Sequence, residues 1–344
     1  PLEYGALDFF VQQTDAPNSI ISSNLRDRAF ASIGNTVQVP VINYDGDVTV
    51  SNTRSCVIAD AENTSALYTV VWKTYSVGFT MVPTLYMNNE ISYDHDFARK
   101  MEKICRALAT ALDVDAVAAL EAQKTQVFKD LLQYQATANV IDVPKQMATE
   151  ILGDINPIMR ANAYPETIHL IGNAGIDSLI RKLAEHGIYN DVNKRMEYDN
   201  KIIHYTNNVV NAQGKNGTAF AVVDGNVGVL TRVDREALRR TKANFHEWDV
   251  VRLPYIDLPV CSHYYTAVGD QSSIMGDATA DLTCGKKEYF GFSVDVAFII
   301  AYNSDPEHVA NPIMKAQIAK PADNTPFAAQ PVYVTNSADF DFTT

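Results

Sequence analysis

The stretch that decides the fold is Phe290-Gly291-Phe292-Ser293-Val294-Asp295-Val296-Ala297-Phe298-Ile299-Ile300-Ala301-Tyr302. Large apolar side chains recur at every second position, and mostly small or polar residues stand between them. A period of two is typical of a β-strand, because successive side chains point to opposite faces. These 13 residues would make a strand of about 43 Å at roughly 3.3 Å each, whereas most strands have about five or six residues. We therefore predict one very long strand.

A long amphipathic helix is predicted from Asp94 to about Gln135. Asp94 and Asp96 stand where an N-cap and first-turn acids belong. Apolar residues follow at helical spacing, namely Phe97, Met101, Ile104, Leu108 and Leu112. A kink is expected at Asp113-Val114-Asp115. At roughly 1.5 Å per residue the helix would span about 60 Å, and we expect it to pack along the long strand as one elongated slab.

Two groups of basic residues have helical spacing. On the long helix these are Arg99, Lys100, Lys103 and Arg106, and Glu102 is placed to pair with Arg106 one turn later. Further along the chain they are Arg232, Arg235 and Arg239. Two interpretations stay open for each group: a solvated helix face, or a surface that faces a polyanion or an acidic partner.

Residues 37–92 are rich in β-branched and aromatic residues, which predicts a projecting two-stranded ribbon. Its second arm runs from Leu67 to Val82 and carries apolar side chains on both faces, among them Tyr68, Trp72, Tyr75 and Phe79. Because a lone hairpin is marginally stable in water, these side chains need cover. We expect a neighbouring subunit to supply it. Packing within the same chain and a carbohydrate-binding platform are the alternatives.

The remaining segments complete an α+β chain. Residues 1–36 show no sustained periodicity and predict an extended arm with about one helical turn. Residues 141–285 mix helical and strand patterns and predict one α+β module. In its βα unit the turn Gly172-Asn173-Ala174-Gly175 lacks the GxGxxG spacing and the GKS or GKT ending of phosphate-binding loops. A plain strand-to-helix turn is therefore expected.

Composition and charge exclude several classes of protein. The chain has 344 residues, of which 47% are hydrophobic and 20% charged, as is usual for folded proteins. Its net charge of −13 argues against a dedicated DNA-binding protein. Neither a signal-peptide pattern nor an apolar run of about 18 residues occurs, so no membrane association is expected. The four cysteines are far apart and form no CxxC pair, which favours reduced thiols.

Patterns for catalysis and metal binding are sparse. His246 with Glu247 and Asp249, and Cys261 with His263, bring possible metal ligands close in sequence, but such short sets are more often locally satisfied side chains. The GxSxG, HExxH, paired CxxC and calcium-loop patterns are all missing. We therefore predict no catalytic residue, no cofactor and no metal. A two-domain α/β hydrolase or transferase that uses residues 167–190 is the alternative.

The order of the segments resembles a known family. An irregular arm, a projecting ribbon, a long helix opening at Tyr93-Asp94-His95-Asp96-Phe97, an α+β module and one very long strand are similar to the major capsid protein of tailed bacteriophages. Its fold is the Hong Kong 97 capsid fold, which encapsulin shells share. The resemblance implies an N-arm at 1–36, an E-loop hairpin at 37–92, a P-domain spine helix at 93–140, an A-domain at 141–285, and the returning P-domain strand with the C-terminal segment at 286–344.

The resemblance also implies a structural protein and not an enzyme. Its copies would form hexamers and pentamers of an icosahedral shell that encloses phage double-stranded DNA. The contact between the shell and this DNA would be weak and non-specific. A separate scaffolding protein and a portal would be partners, and the protein would be located in the virion after assembly in the host cytoplasm. An encapsulin-like compartment for protein cargo is the alternative within this class.

Site residues follow from the same resemblance. Tyr68, Trp72, Tyr75 and Phe79 would be E-loop contacts between subunits. Arg99, Lys100, Lys103 and Arg106 would face the interior or the DNA, and Arg232, Arg235 and Arg239 would make contacts within the capsomer. Some family members place a cross-linking lysine where Lys73 lies, yet nothing in the sequence supports an isopeptide bond, and none is predicted.

Overall fold

The computed structural model describes most of the chain from residue 4 to residue 320. The described ranges are 4–17, 19–32, 37–43, 64–86, 91–124, 132–137, 139–161, 164, 167–184, 197–198, 201–233, 246–268, 286–300 and 313–320. Within them the chain forms five α-helices and 14 β-strands.

The helices are α1 (Gly5–Thr14), α2 (Ser23–Ala31), α3 (Tyr93–Ala122), α4 (Glu150–Ala161) and α5 (Ala174–Ala184). The strands are β1 (Gln38–Asn43), β2 (Thr64–Thr69), β3 (Lys73–Met81), β4 (Gln135–Thr137), β5 (Val140–Val143), β6 (Ile168–Gly172), β7 (Glu197–Tyr198), β8 (Lys201–Tyr205), β9 (Lys215–Val223), β10 (Val227–Arg232), β11 (His246–Leu253), β12 (Ile256–Val268), β13 (Lys286–Ile300) and β14 (Ile313–Ala319). Short 3₁₀ turns occur at Pro83–Tyr86 and Lys145–Met147.

The predicted long strand is confirmed as β13. Its 15 residues span about 50 Å at roughly 3.3 Å each. One edge of β13 pairs with β3, and the other pairs with β12 and then with β10, which lie end to end. β11 extends this long-strand sheet beyond β12, and every pair in it is antiparallel. The alternating sequence buries Phe292, Val294 and Val296 on one face of the sheet.

Helix α3 covers that buried face. It begins after Ser92, whose hydroxyl caps the helix by accepting a hydrogen bond from the His95 N–H at 3.2 Å. Its apolar stripe, which includes Ile104 and Leu108, is buried in one core with the inner side chains of β3 and β13. The 30 residues of α3 span about 45 Å at roughly 1.5 Å each, which is close to the length of β13. The predicted slab of long helix on long strand is therefore confirmed.

The predicted end of the long helix is wrong. Gln135, its predicted end, begins strand β4, whereas α3 ends at Ala122 and residues 125–131 lie outside the described ranges. The helix also continues through Asp113 without a break. The Asp113 carboxylate does not compete for the backbone of its own helix, because it accepts hydrogen bonds from other elements.

The second sheet has seven strands in the order β4-β5-β14-β9-β6-β8-β7. The pairs β5/β14 and β6/β8 are parallel, and the other pairs are antiparallel. Helices α4 and α5 pack on one face through side chains such as Ile155 and Ile176. The other face contributes Ile171 and Phe220 to the core that also contains α1 and α3.

Membership of the two sheets departs from the predicted segment boundaries. Strands β10, β11 and β12 fall inside the predicted module 141–285, yet they belong to the long-strand sheet. Strand β14 comes from the C-terminal segment, yet it lies between β5 and β9 of the seven-stranded sheet. The chain therefore passes from one sheet to the other after β3, after β9 and after β13.

The N-terminal segment is not an extended arm with one helical turn. It forms the helices α1 and α2, and Phe9 and Phe10 of α1 have no exposed surface. Gln13 on the same helix is also buried, at 3% exposure. A polar side chain at a buried position breaks the apolar periodicity, and for this reason the sequence pattern did not predict helix α1.

Residues 37–92 form two structures and not one ribbon. Strands β1 and β2 pair with each other, and in the described part of the chain neither pairs with another strand. Strand β3 leaves this ribbon after Trp72 and pairs with β13. The predicted second arm, Leu67–Val82, is therefore divided between the β1–β2 ribbon and the long-strand sheet.

Candidate functional site

The root of the β1–β2 ribbon is held by a small core of its own. Val37 and Val70 are buried there, and the Val70 N–H donates to the Val37 carbonyl oxygen at 2.9 Å. Trp72 packs against this core. The other members come from α2 and the segment before it, from β10 and from β13, namely Ile21, Leu25, Ala29, Leu230, Ala297 and Ile299. The N-terminal helices and the long strand thus fix the point from which the ribbon leaves the molecule.

Arg232 joins this root to the long-strand sheet. Its Nε donates to Asp295 Oδ2 at 2.8 Å, and its guanidinium carbon lies 4.7 Å from the centroid of the Trp72 ring. Asp295 Oδ1 accepts a further hydrogen bond from the Thr74 hydroxyl at 2.6 Å. The guanidinium predicted to contact a neighbour in the capsomer is therefore engaged within its own chain. Arg235 and Arg239 lie outside the described residues.

Two of the predicted ribbon contacts belong to the chain's own core. Tyr75 is 9% exposed and its hydroxyl donates to Asp115 on α3, which also binds the Lys73 ammonium. Phe79 stacks on Phe290 at 5.1 Å between ring centroids. The expectation that these two rings need a neighbouring subunit was wrong, because α3 covers the face of β3 on which they lie. Tyr68 is in β2, and its side chain is outside the described part of the chain.

The basic residues of α3 divide into paired and exposed ones. Arg106 pairs with Glu102 at 2.9 Å, as predicted. Lys100 binds Asp96 at 2.9 Å and donates to the Thr80 carbonyl oxygen at 3.2 Å. The Tyr86 hydroxyl and the Lys100 ammonium lower the pKa of Asp96 by stabilising its charged form.

Arg99 and Lys103 are exposed, and neither forms an ion pair with another described residue. The basic face is therefore narrower than the sequence suggested.

The turn Gly172-Asn173-Ala174-Gly175 is filled by its own chain. The Asn173 side-chain oxygen accepts from the N–H groups of Gly175 and Thr218, both at 3.2 Å. A side chain at Gly175 would meet the Asn216 carbonyl oxygen at 2.0 Å, so strand β9 crosses directly over the turn. The backbone N–H of Gly175, which would otherwise be available to a phosphate, is already used. The turn connects a strand to a helix, as predicted.

The structure gives no support to the two short sets of possible metal ligands. His246 begins strand β11, but its side chain lies outside the described part of the chain, and Asp249 on the same strand is exposed. Cys261 and His263 share a face of β12, but the His263 ring packs on Trp248 at 4.9 Å between centroids. Within the described ranges no group of three His, Cys, Asp or Glu residues could hold a metal ion. None of the described helices is long and apolar enough to cross a bilayer.

The comparisons with known proteins give structural matches only. No protein-family model matches the sequence, and no curated protein is significantly similar to it. The capsid asymmetric unit of cyanophage Pam1 matches with a TM-score of 0.50 and 11% identity, over 93% of this chain and 93% of that one. The capsid of cyanophage P-SCSP1u matches with a TM-score of 0.47 and 11% identity, over 84% of each chain. A Mycobacterium phage Che8 structure matches with a TM-score of 0.47 and 12% identity, over 86% of this chain and 89% of that one.

The chain has the Hong Kong 97 capsid fold. The predicted long helix and the long strand that returns to it are confirmed along with this fold. Within it, the two strands of the ribbon pair only with each other among the described residues, and the root of the ribbon is the site at which Trp72 and Arg232 meet.

Sequence reasoning missed two buried polar groups of this Hong Kong 97 fold. Asp113 on α3 has no exposed surface, although its position on the apolar side of the helix, next to Leu112, was a readable signal. His169 and His204 are buried side by side at 4% and 8% exposure, and they are too far apart in sequence for any spacing rule to join them.

Proposed function

We propose that this protein is the major capsid subunit of a tailed bacteriophage. Copies of the chain assemble into hexamers and pentamers of an icosahedral shell that encloses double-stranded DNA. The observation that carries the proposal is the Hong Kong 97 fold over nearly the whole chain, with a match that covers 93% of both proteins. A structural role and a location in the virion follow from this proposal, with assembly in the host cytoplasm.

The β1–β2 ribbon supports assembly between copies. In the described chain its two strands pair only with each other, and the 20 residues 44–63 connect them. A two-stranded hairpin is marginally stable in water on its own, so a ribbon of this kind gains stability when another surface covers it. The root is fixed by its small core, which would present the ribbon to a neighbour in one orientation. Trp72 and Tyr68 remain proposed contacts on this ribbon.

The charge distribution supports weak contact with packaged DNA. The net charge of −13 disfavours binding of DNA to a single subunit. Arg99 and Lys103 are the exposed members of the basic face on α3, with Arg106 beside them in an exposed pair. Many copies lining one cavity would add up such weak contacts. We propose that this face points to the interior, and that scaffolding and portal functions are supplied by separate proteins.

Purified protein tests the proposal directly. We expect sedimentation velocity and electron microscopy to show capsomers or closed shells, either alone or with a co-expressed scaffolding protein from the same genome. A protein that stays monomeric under all these conditions would contradict the proposal. Shells that form around an enzyme cargo, in place of DNA, would assign the chain to an encapsulin-like compartment.

Removing the ribbon tip tests the intersubunit contact. Residues 44–63 are replaced by a short Gly-Ser link, which leaves every described residue in place. We expect a soluble subunit with an unchanged circular dichroism spectrum that forms no shells. Val210→Ser, at a site 80% exposed between β8 and β9, is the control and should assemble normally. Normal shells from the shortened chain would show that this ribbon does not hold the copies together.

A further inference from the structure

Beneath helix α1 lies a buried chain of polar groups that the proposed assembly does not use. His169 Nδ1 on β6 lies 2.9 Å from His204 Nε2 on β8. On the other side of the same ring, His169 Nε2 lies 3.1 Å from Asp224 Oδ1. The two imidazole rings are stacked at an angle of 23°, with 5.2 Å between their centroids. Both rings are at least nine-tenths buried, so their protonation is tied to the elements that cover them.

Helix α1 is the element that covers the pair. The Phe9 ring lies 4.9 Å from the His169 ring and 5.3 Å from the His204 ring, measured between centroids. Gln13 Nε2 donates to Asp224 Oδ1 at 2.7 Å and lies 3.2 Å from His169 Nε2, while its oxygen accepts from the Gly225 N–H. Water can therefore reach the imidazoles from this side only if α1 moves.

Only one of the two facing nitrogens of the imidazole pair can carry a hydrogen. At 2.9 Å one nitrogen must donate and the other must accept, because two facing N–H groups repel each other. A first added proton is tolerated: His169 then donates to His204 through Nδ1 and to the Asp224 carboxylate through Nε2. A second added proton is not tolerated, because both facing nitrogens would then carry hydrogen and two positive charges would lie side by side in a buried site.

We propose that the His169–His204 pair is a proton-operated latch for helix α1, which stays docked while the pair holds at most one added proton and is released when both rings are charged. This inference does not rest on the proposed function. The direction in which pH shifts the docking of α1 follows from the number of protons that each state binds. The solvated pair of the undocked state takes up two protons around pH ~6.5, whereas the docked pair takes up one. The undocked population should therefore rise by up to about tenfold for each pH unit below ~6.5.

Other charged groups near the histidine pair also influence its protonation. Asp224 faces it from the turn between β9 and β10. Lys201 precedes His204 by three positions on β8, so it projects from the opposite face of that strand. At the end of the same strand, Thr206 donates to Asp113 of α3. None of these adds a second acceptor between the two rings.

Asp8, near the other end of α1, acts in the opposite direction. Burial, together with the negative charges of Asp113 and Asp257, raises the pKa of Asp8 to about 6. Docked α1 therefore gains from protonation of Asp8 as the pH falls below about 6, and this gain offsets the release caused by the histidines. The effect of the latch must be measured in an Asp8→Asn background, which removes the offset.

Hydrogen exchange measures the docking of α1 in the full chain. We compare Asp8→Asn with Asp8→Asn/His204→Gln at about pH 7.5, 6.5 and 5.5, after correction for intrinsic exchange rates. Glutamine can accept from or donate to His169 but cannot be charged. We expect amide exchange in residues 4–17 of the first protein to accelerate by about tenfold between pH ~6.5 and ~5.5, and that of the second by less than about twofold. An equal acceleration in both proteins would overturn the latch.

A second measurement uses the unaltered chain, so it tests the latch even if the variants fold poorly. Nuclear magnetic resonance of the labelled imidazoles follows the protonation of His169 and His204 in the unaltered chain. We expect only one of the two rings to become charged while the α1 amides remain protected. Two rings that both titrate near pH ~6.5 with α1 still protected would show that the pair is no latch.

Discussion

Asp113 Oδ1 accepts a hydrogen bond from the backbone N–H of Leu7 at 2.9 Å. Leu7 lies in the first turn of α1, where N–H groups have no partner within the helix, so a carboxylate of α3 caps α1. Asp113 Oδ2 also accepts from the Thr206 hydroxyl and, at 2.7 Å, from the Asn208 amide. One fully buried side chain thus ties the N-terminal helix and the seven-stranded sheet to the long helix.

We predict that Asp113→Ala destabilises the subunit by about 3 kcal/mol or more, because it leaves two buried donors and one partly buried donor without an acceptor. Chemical denaturation followed by circular dichroism measures the loss. Asp94→Ala, at an exposed site in the first turn of the same helix, is the control and should cost less than about 1 kcal/mol. Similar costs for the two substitutions would mean that Asp113 is not a junction between the elements.

Substitutions of Tyr75 and Trp72 should differ in their effects on stability and on assembly. Tyr75→Ser removes a ring that is 9% exposed and hydrogen-bonded to Asp115, so we expect a loss of about 3–5 kcal/mol in the free energy of unfolding. Trp72→Ser removes a partly buried ring at the ribbon root, and we expect about 1–2 kcal/mol there with a stronger effect on assembly. Denaturation and sedimentation of the same samples separate the two effects.

Val71→Ser provides the reference for these substitutions. Val71 stands next to Trp72 and is 78% exposed, so its loss should change the free energy of unfolding by less than about 0.5 kcal/mol. If Tyr75→Ser proved as mild as Val71→Ser, the assignment of Tyr75 to the chain's own core would be wrong.

Asp8 should give the subunit a pH-dependent stability. Its pKa is raised from 3.8 to about 6 in the folded chain, so between these values the folded state holds a proton that the unfolded state has released. Stability from this group is present in acid and is lost as the pH rises toward about 6. We expect Asp8→Asn to raise the free energy of unfolding at pH ~7 by about 1–3 kcal/mol and to flatten this slope.

The exposed Asp27→Asn on α2 serves as the control for Asp8, since it changes the net charge equally without touching a partly buried carboxyl. Denaturation curves at several pH values decide the matter. A slope between pH ~4 and ~6 that survives in Asp8→Asn would have to come from other groups.

The sequence revealed the long elements of this fold because each carries a regular pattern over many residues. The alternation around Val294 and Val296 and the helical stripe through Ile104 and Leu108 are visible without any knowledge of tertiary contacts. Helix α1 was missed because it buries Gln13 among its apolar residues, where the polar contacts to Asp224 and Gly225 compensate. Periodicity alone cannot register a buried polar group that is satisfied by distant residues.

The candidate site was predicted less well, for a related reason. The sequence correctly identified apolar residues on both faces of Leu67–Val82 but could not show that β3 pairs with β13, which supplies cover from α3 within the same chain. Arg232 was grouped with later arginines by helical spacing, although it ends strand β10 and binds Asp295. Pairing between strands that are far apart in sequence decides both points, and no local pattern encodes it.

Charge removal on α3 should weaken contact with nucleic acid without affecting the fold. Arg99 and Lys103 are exposed and have no ion-pair partner among the described residues, so Arg99→Gln/Lys103→Gln should leave the free energy of unfolding within about 0.5 kcal/mol. We expect binding of assembled shells or capsomers to double-stranded DNA to weaken and to depend less steeply on salt. Lys145→Gln, at an exposed site on another element, is the control. Unchanged DNA binding would move the DNA-facing surface elsewhere.

Arg232 should control how firmly the ribbon root is held. Its guanidinium bonds to Asp295 at 2.8 Å and lies 4.7 Å from the Trp72 ring centroid, so it links the ribbon root to β13. Among the described residues, Arg232→Leu leaves the partly buried Asp295 with the Thr74 hydroxyl as its remaining side-chain donor, and we expect a loss of about 1–3 kcal/mol together with faster hydrogen exchange at residues 70–72.

Arg232→Lys separates charge from shape in the same position. Lysine keeps a positive charge near Asp295 but lacks the planar group that lies over Trp72, so we expect roughly half of the stability to return while exchange at residues 70–72 stays fast. Full recovery of both quantities by lysine would show that the ion pair alone matters and that the ring contact with Trp72 contributes nothing. If neither substitution changes exchange at the root, the small core of Val37 and Val70 is sufficient to hold the ribbon.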